Sequence, residues 1–230
     1  MDSDATRLNK LLALQLGVSR READILIDTG TVTVNGKVAE LGGRASESDN
    51  ITVAGKPIAT KKAPYVYLAL NKPVGYVCSR RPQGDSPTIY SILPHEYHAL
   101  KPVGRLDRNS SGLILLTNDG DFAFKMTHPK FAKTKVYHVR IDHDLEPLHQ
   151  QMISDFGVDL EDGRSQLTLA RLNDNRRDQW EVTMSEGRNR QIRRTFAALG
   201  YTVKELHRVQ FGNYSIGTLQ PGDFQLTTIL

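Results

Sequence analysis

A single cysteine, Cys78, stands in 230 residues, so no intramolecular disulfide framework can hold this chain together. The seven histidines are scattered. Together with one cysteine they supply neither zinc-ligand spacing nor a recognisable nucleophile–base pair. No apolar run approaches the ~18 residues of a spanning helix, and the opening MDSDATRLNK lacks the apolar core of a secretory signal. The glycine-containing loops lack the GxxxxGK[ST] arrangement that cradles nucleoside triphosphates. These absences lead to the expectation of a soluble cytoplasmic protein with no membrane contact or metal site. What remains is ordinary globular material, 39% hydrophobic and 24% charged, long enough for one or two domains.

The net charge of +4 is mild, but its distribution is uneven. Residues 101–140 carry eight basic and three acidic side chains, residues 141–187 four and eleven, and residues 188–210 six and one. Two +5 segments thus flank a −7 segment. Folding that joins the basic segments and turns the acidic one away would create a surface for a polyanion. The other reading is that these charges decorate solvated faces.

The first sixty residues form a module of their own. Leu8, Leu11, Leu12 and Leu16 recur at helical spacing, and Gly17 ends that helix. Ser19 and Glu22 have capping-box spacing, predicting a second helix from Arg20 to about Asp28, stopped by Gly30. Val32 and Val34 alternate before Asn35-Gly36, a strong hairpin signal, and Ile51 and Val53 form a further short strand. Arg7, Lys10, Arg20 and Arg21 cluster near the helix starts. Cations in a first turn oppose the helix dipole, which suits an external anion, although solubility alone also accounts for them.

A polar linker is predicted at 61–64, ending on Pro64. The larger part, 65–230, starts with a strand over Tyr65–Leu70 and another around Tyr76–Cys78, followed by a proline-containing loop over 80–99. The nearly continuous apolar run Gly112–Thr117 predicts a strand buried on both faces. A helix follows from Asp119 or Asp121 towards Met126. Strands are expected over Lys135–Ile141, Gln166–Leu172, Trp180–Met184 and Val203–Val209, with helices over Glu146–Phe156 and Arg190–Leu199. The elements intermix without regular βαβ spacing, so the expected class is α+β with a mixed, mainly antiparallel sheet.

Three segments can carry chemistry. In Gly104-Arg105-Leu106-Asp107-Arg108 a carboxylate sits between two arginines at the mouth of the buried strand. Such a group can serve as nucleophile or base, while the same residues also suit a plain turn. In Glu186–Arg194 four arginines crowd into seven residues, and Arg190, Arg193 and Arg194 have the spacing of one helix face. They repel one another unless an anion lies near. The third is Lys133-Thr134-Lys135-Val136-Tyr137, whose tyrosine falls in a strand, where a core role is the usual one.

These segments resemble, in order, the motifs of the bacterial ribosomal RNA pseudouridine synthases of the RsuA/RluB type. The match runs through LALNKPVGYVCS, GRLDRNSSGLILLTNDG, KTKVYHV and EGRNRQIRRTF, and residues 1–60 resemble the small RNA-binding domain that precedes the catalytic part. The resemblance implies Asp107 as catalytic nucleophile, Arg105 as the residue that displaces the target base, and Tyr137 as a stacking and proton-transfer group. It further implies Arg193 as the basic partner of Asp107, with Arg194 a second candidate. Arg190, Arg194 and Lys72 are expected at the substrate, and Arg7, Lys10, Arg20 and Arg21 at the RNA. Lys135-Val136-Tyr137 departs from many relatives only at the middle residue, which leaves the tyrosine in place.

On this resemblance the chain converts uridine to pseudouridine in ribosomal RNA or a pre-ribosomal particle, as a monomer and without cofactor, with large-subunit RNA favoured as target. The alternative is a non-catalytic RNA-binding factor of ribosome assembly on the same scaffold, which the intact Asp107 argues against. A glycosidase or nuclease would need a second catalytic carboxylate or a metal site, and the sequence offers neither.

Overall fold

The computed structural model describes residues 5–46, 48–58 and 64–230. The chain divides into two compact units, Met1–Tyr65 and Val66–Leu230. The linker expected at 61–64 lies, apart from Pro64, outside the described residues.

In the first unit, helices span Leu8–Leu16 and Arg20–Asp28. Gly17 closes the first at φ 69°, and the second carries the full capping box: the Glu22 amide donates to Ser19 Oγ (3.1 Å) and the Ser19 amide to Glu22 Oε2 (2.6 Å). Asn35 and Gly36 both take positive φ, as the tight turn between Val32–Val34 and Lys37–Val38 requires. Leu8, Leu11, Leu12, Ala23, Ile27, Val32 and Ile51 make the core. Leu16, grouped with the apolar stripe by spacing, is instead 37% exposed.

The second unit is built on a mixed sheet of nine described strands. Its main path runs Thr168–Arg171, Gln179–Met184, Lys135–Ile141, Val203–Phe211, Ser111–Thr117, Tyr67–Lys72 and Phe224–Thr227. Neighbours are antiparallel except Val203–Phe211 and Ser111–Thr117, which run parallel. The Ser111–Thr117 strand is buried on both faces, as its composition demands. Ile114 and Leu116 enter one core with Trp180 and Phe196, while Leu113 and Leu115 enter a second with Phe122 and Met126.

Several elements differ from expectation. Around Tyr76–Cys78 there is no strand, only a bridge from Val77 to Thr88. The 80–99 loop contains two short 3-10 turns, Ile89–Ile92 and His95–Tyr97, and buries Ile89, Tyr90 and Leu93. Lys101–Val103 and the hairpin Val158–Leu160 with Gly163–Ser165 are strands too short to show periodicity. The helix expected over Glu146–Phe156 is one α-turn, Pro147–Gln151, followed by a π turn over Met152–Phe156.

Candidate active site

The loop that carries Asp107 leads into the doubly buried strand and is fixed at several points. Leu106 is buried, and its amide points to Cys78 Sγ at 3.4 Å. The Gly75 amide donates to the Arg108 carbonyl (2.8 Å), and the Ser110 amide closes a turn onto the Asp107 carbonyl (3.0 Å). The preceding segment, Asn71–Cys78, therefore supports the aspartate loop. At the strand entry, Gly112 has φ 104°, and a β-carbon there would overlap the backbone of Arg208. Only glycine permits that approach of the parallel neighbour.

The arginine segment meets this loop differently from its spacing. The helix is Gln191–Ala197, and Arg190 is its N-cap, in left-handed backbone (φ 48°, ψ 31°). Arg190 thus does not share a helix face with Arg193 and Arg194. It is Arg190, and not Arg193, that pairs with Asp107, with Nη1 to Oδ2 at 3.5 Å. Arg193 instead holds backbone. Its guanidinium donates to the carbonyls of Val203 (2.8 Å) and Asn109 (2.8 Å), so it ties the far end of the aspartate loop to the sheet. Burial first, then Arg190, lower the Arg193 pKa, while Asp107 raises it.

The acidic stretch is not turned away from the basic one. Asp162 accepts from Arg188 (2.9 Å) and takes both terminal nitrogens of Arg194 (3.0 and 2.6 Å). The Arg194 hydrogen bonds hold the Asp162 carboxyl below the usual carboxylate range. Arg188 also donates to the carbonyls of Gly163 and Arg164, and Glu186 lies 3.3 Å from it. The buried Gln191 joins Glu186 and Ser165. The repulsion expected among these arginines is relieved by Asp162, Glu186 and Asp107, and Arg188 and Arg194 brace the loop that presents Arg190.

A cleft of about 620 Å³ lies between the two segments, within the range of nucleotide-sized sites. Arg105, Asp107, Arg108, Lys135, Tyr137, Arg190 and Arg208 line it. Arg105 and Arg108 are exposed, with no acidic partner among the described residues. Tyr137 is buried in the strand Lys135–Ile141, and among the described residues its hydroxyl has no hydrogen-bond partner. A register shift between Val136 and Tyr137 against the Val203–Phe211 strand sets Tyr137 opposite Arg208 and Lys135 opposite Phe211.

Lys72, Arg193 and Arg194 do not line the cleft. Lys72, expected at the substrate, is fully buried and donates to the Pro73 carbonyl (2.8 Å). Burial lowers its pKa to about 8, against the opposing influence of Cys78 and Asp107. Burial likewise pushes the Cys78 thiol up. Sequence reasoning missed Asp162, which reads as one acid among eleven, and Arg208, which lies in an otherwise strand-like run. No signal in the sequence singles out either. Among the described residues there is no cluster of three or more His, Cys, Asp or Glu that could hold a metal ion, and no helix is long and apolar enough to cross a membrane.

In the first unit Arg7, Arg20 and Arg21 are exposed and Lys10 is half-buried. Arg20 donates to Asn9 Oδ1 (3.0 Å), and Asn9 in turn donates to Asp24 (2.8 Å), which links the starts of the two helices.

The second unit thus carries a cation-lined cleft around an aspartate on a mixed sheet. The chain belongs to the RNA pseudouridylate synthase family, whose model matches residues 66–198, and an S4 domain matches residues 6–51. It is 36% identical to ribosomal large subunit pseudouridine synthase B of Bacillus subtilis, over 94% of this chain and 90% of that one. It is also 36% identical to ribosomal small subunit pseudouridine synthase A of Yersinia pestis, over 96% and 95%. A crystal structure of a pseudouridylate synthase superposes with a TM-score of 0.68 at 32% identity, covering 96% of both chains.

Proposed function

We propose that this pseudouridine synthase acts on ribosomal RNA, with Asp107 as the catalytic nucleophile of the uridine isomerisation. The observation that carries this reading is the placement of Asp107, paired with Arg190 at 3.5 Å, in a cleft shared with Arg105 and Tyr137. In the reaction the bond from ribose to uracil N1 breaks, the base turns, and a bond from ribose to C5 forms. The proton lost from C5 is balanced by one gained at N1, so the conversion is a closed isomerisation. Arg190 aims the Asp107 carboxylate, with its guanidinium 3.5 Å away. Arg193 is a positioning residue in this scheme, since it acts through the Asn109 carbonyl.

The target uridine must leave its stack, at a cost of a few kcal/mol. The unpaired Arg105 fills the vacated place, and the Tyr137 ring offers a stacking surface with a free hydroxyl for proton transfer. The first unit, taken as residues 1–60, supplies affinity through Arg7, Lys10, Arg20 and Arg21, and residues 65–230 supply chemistry. The Glu186–Arg194 motif favours large-subunit RNA as the target. Pseudouridine mapping in ribosomal RNA from cells with and without this protein tests the assignment. A single uridine left unmodified in its absence is expected, and an unchanged map contradicts the reading.

A further inference from the structure

Two cations on the floor of the cleft have no carboxylate bound to them. Arg208 is only 3% exposed, donates from Nε to the Leu113 carbonyl (2.8 Å), and leaves Nη2 without a partner. Lys135 is half-buried, and its ammonium is held only by the carbonyls of Lys133 (3.1 Å) and Glu186 (3.2 Å). Both cations pack on one ring, with Arg208 Cζ 4.8 Å and Lys135 Nζ 5.5 Å from the Phe211 centroid. Burial, then the Arg208 charge, lower the Lys135 pKa, and the Glu186 charge only partly offsets them.

Positive charge concentrated in a partly desolvated place is unfavourable unless an anion completes it. Two other cations of the cleft are matched, Arg188 by Asp162 and Glu186 and Arg190 by Asp107, while Arg105 and Arg108 stand exposed to solvent. At Lys135 and Arg208 the match is missing, and carbonyls aim the ammonium without neutralising it. The strand register places this pair immediately beside Tyr137, where the base is to be received. We infer that Lys135 and Arg208 form an anion subsite that takes a backbone phosphodiester of the RNA next to the flipped uridine. Lys135 touches the phosphate, and Arg208 adds fixed charge beneath it. A base held on Tyr137 and a phosphate held on Lys135 together fix the nucleotide's orientation in the cleft.

This inference rests on the reading of the cleft as the RNA site. The probe is unmodified, full-length large- and small-subunit ribosomal RNA transcripts, bound to the full chain carrying Asp107→Asn so that turnover does not interfere. Adding Lys135→Gln should reduce the slope of log affinity against log salt by about 0.7 to 0.9, the signature of one phosphate no longer neutralised, and Lys135→Arg should restore it. Phosphate-ethylation interference should lose one position on the RNA in the Lys135→Gln protein and keep the rest. Arg208→Lys, which retains the charge, should keep the wild-type pattern. An unchanged slope and an unchanged interference pattern in Lys135→Gln overturn the subsite while leaving the catalytic reading intact. Weaker binding with every interference position retained also overturns it, because that is what a merely structural lysine would produce. Transcripts that fail to bind the Asp107→Asn chain at any salt concentration overturn both.

Discussion

The Asp107 carboxylate lies 3.5 Å from the Arg190 guanidinium, and Arg190 reaches it from a left-handed backbone conformation just ahead of its helix. For a non-glycine residue that conformation costs on the order of 1 kcal/mol. The pair is partly exposed, so its own contribution to stability is small. The strain is therefore set against positioning and not against fold stability. Arg190→Gly should leave the melting temperature unchanged or slightly raised while lowering kcat on the order of 10²-fold, a loss typical of a misaimed group. Thermal unfolding beside single-turnover kinetics separates the two effects.

Arg193 acts on the same loop through backbone. Its fork spans the Val203 and Asn109 carbonyls, a geometry that an ammonium cannot reproduce. Arg193→Lys should lose about 1 to 3 kcal/mol of stability and lower activity together. Denaturant titration gives the first quantity. A variant as stable as wild type but inactive would instead place Arg193 at the reacting groups.

Asp162 neutralises Arg188 and Arg194. Asp162→Asn should free Arg194 and leave Arg188 with Glu186 as its one carboxylate, raise affinity for any RNA, and steepen its salt dependence, while catalysis falls because the Arg190 loop loses its brace. Filter binding at several salt concentrations, read beside turnover, checks this opposition of affinity and rate.

Lys72 is buried with its pKa lowered to about 8 from 10.5. Between those values the unfolded chain binds the proton and the folded chain does not, so stability should rise as pH rises through that window. The contribution is fully lost below the folded value, where both states are protonated and the folded state carries a buried charge. Lys72→Met should flatten the stability–pH curve across that window and raise stability at neutral pH. Urea unfolding over the same range measures the slope.

The first unit is readable from sequence because its signals are local. The capping box at Ser19 and Glu22 and the turn at Asn35-Gly36 depend on residues within a few positions of one another. The Ser111–Thr117 strand is equally plain, since an unbroken apolar run has to be covered on both sides. The cleft is legible through its motifs, but its pairing is not. Spacing puts Arg190 on the helix, whereas the chain turns it out at the N-cap, so the partner of Asp107 is Arg190 and not Arg193. The Asp162 clamp joins residues 26 and 32 positions apart through a hairpin too short to leave a pattern. Arg208 becomes unusual only when the strand beside it is known, because Gly112 and Tyr137 are its neighbours across the sheet. The uneven charge does mark a meeting of two basic segments, while the acidic one proves to be their brace.

The proposed mechanism turns on Asp107 performing the chemistry in this cleft. Asp107→Asn preserves size while removing the carboxylate proposed as nucleophile. With unmodified ribosomal RNA transcripts as substrate, pseudouridine formation by the purified variant is the direct measurement. No detectable product is expected, with RNA affinity largely retained; pseudouridine formed at the wild-type rate would contradict the role of Asp107.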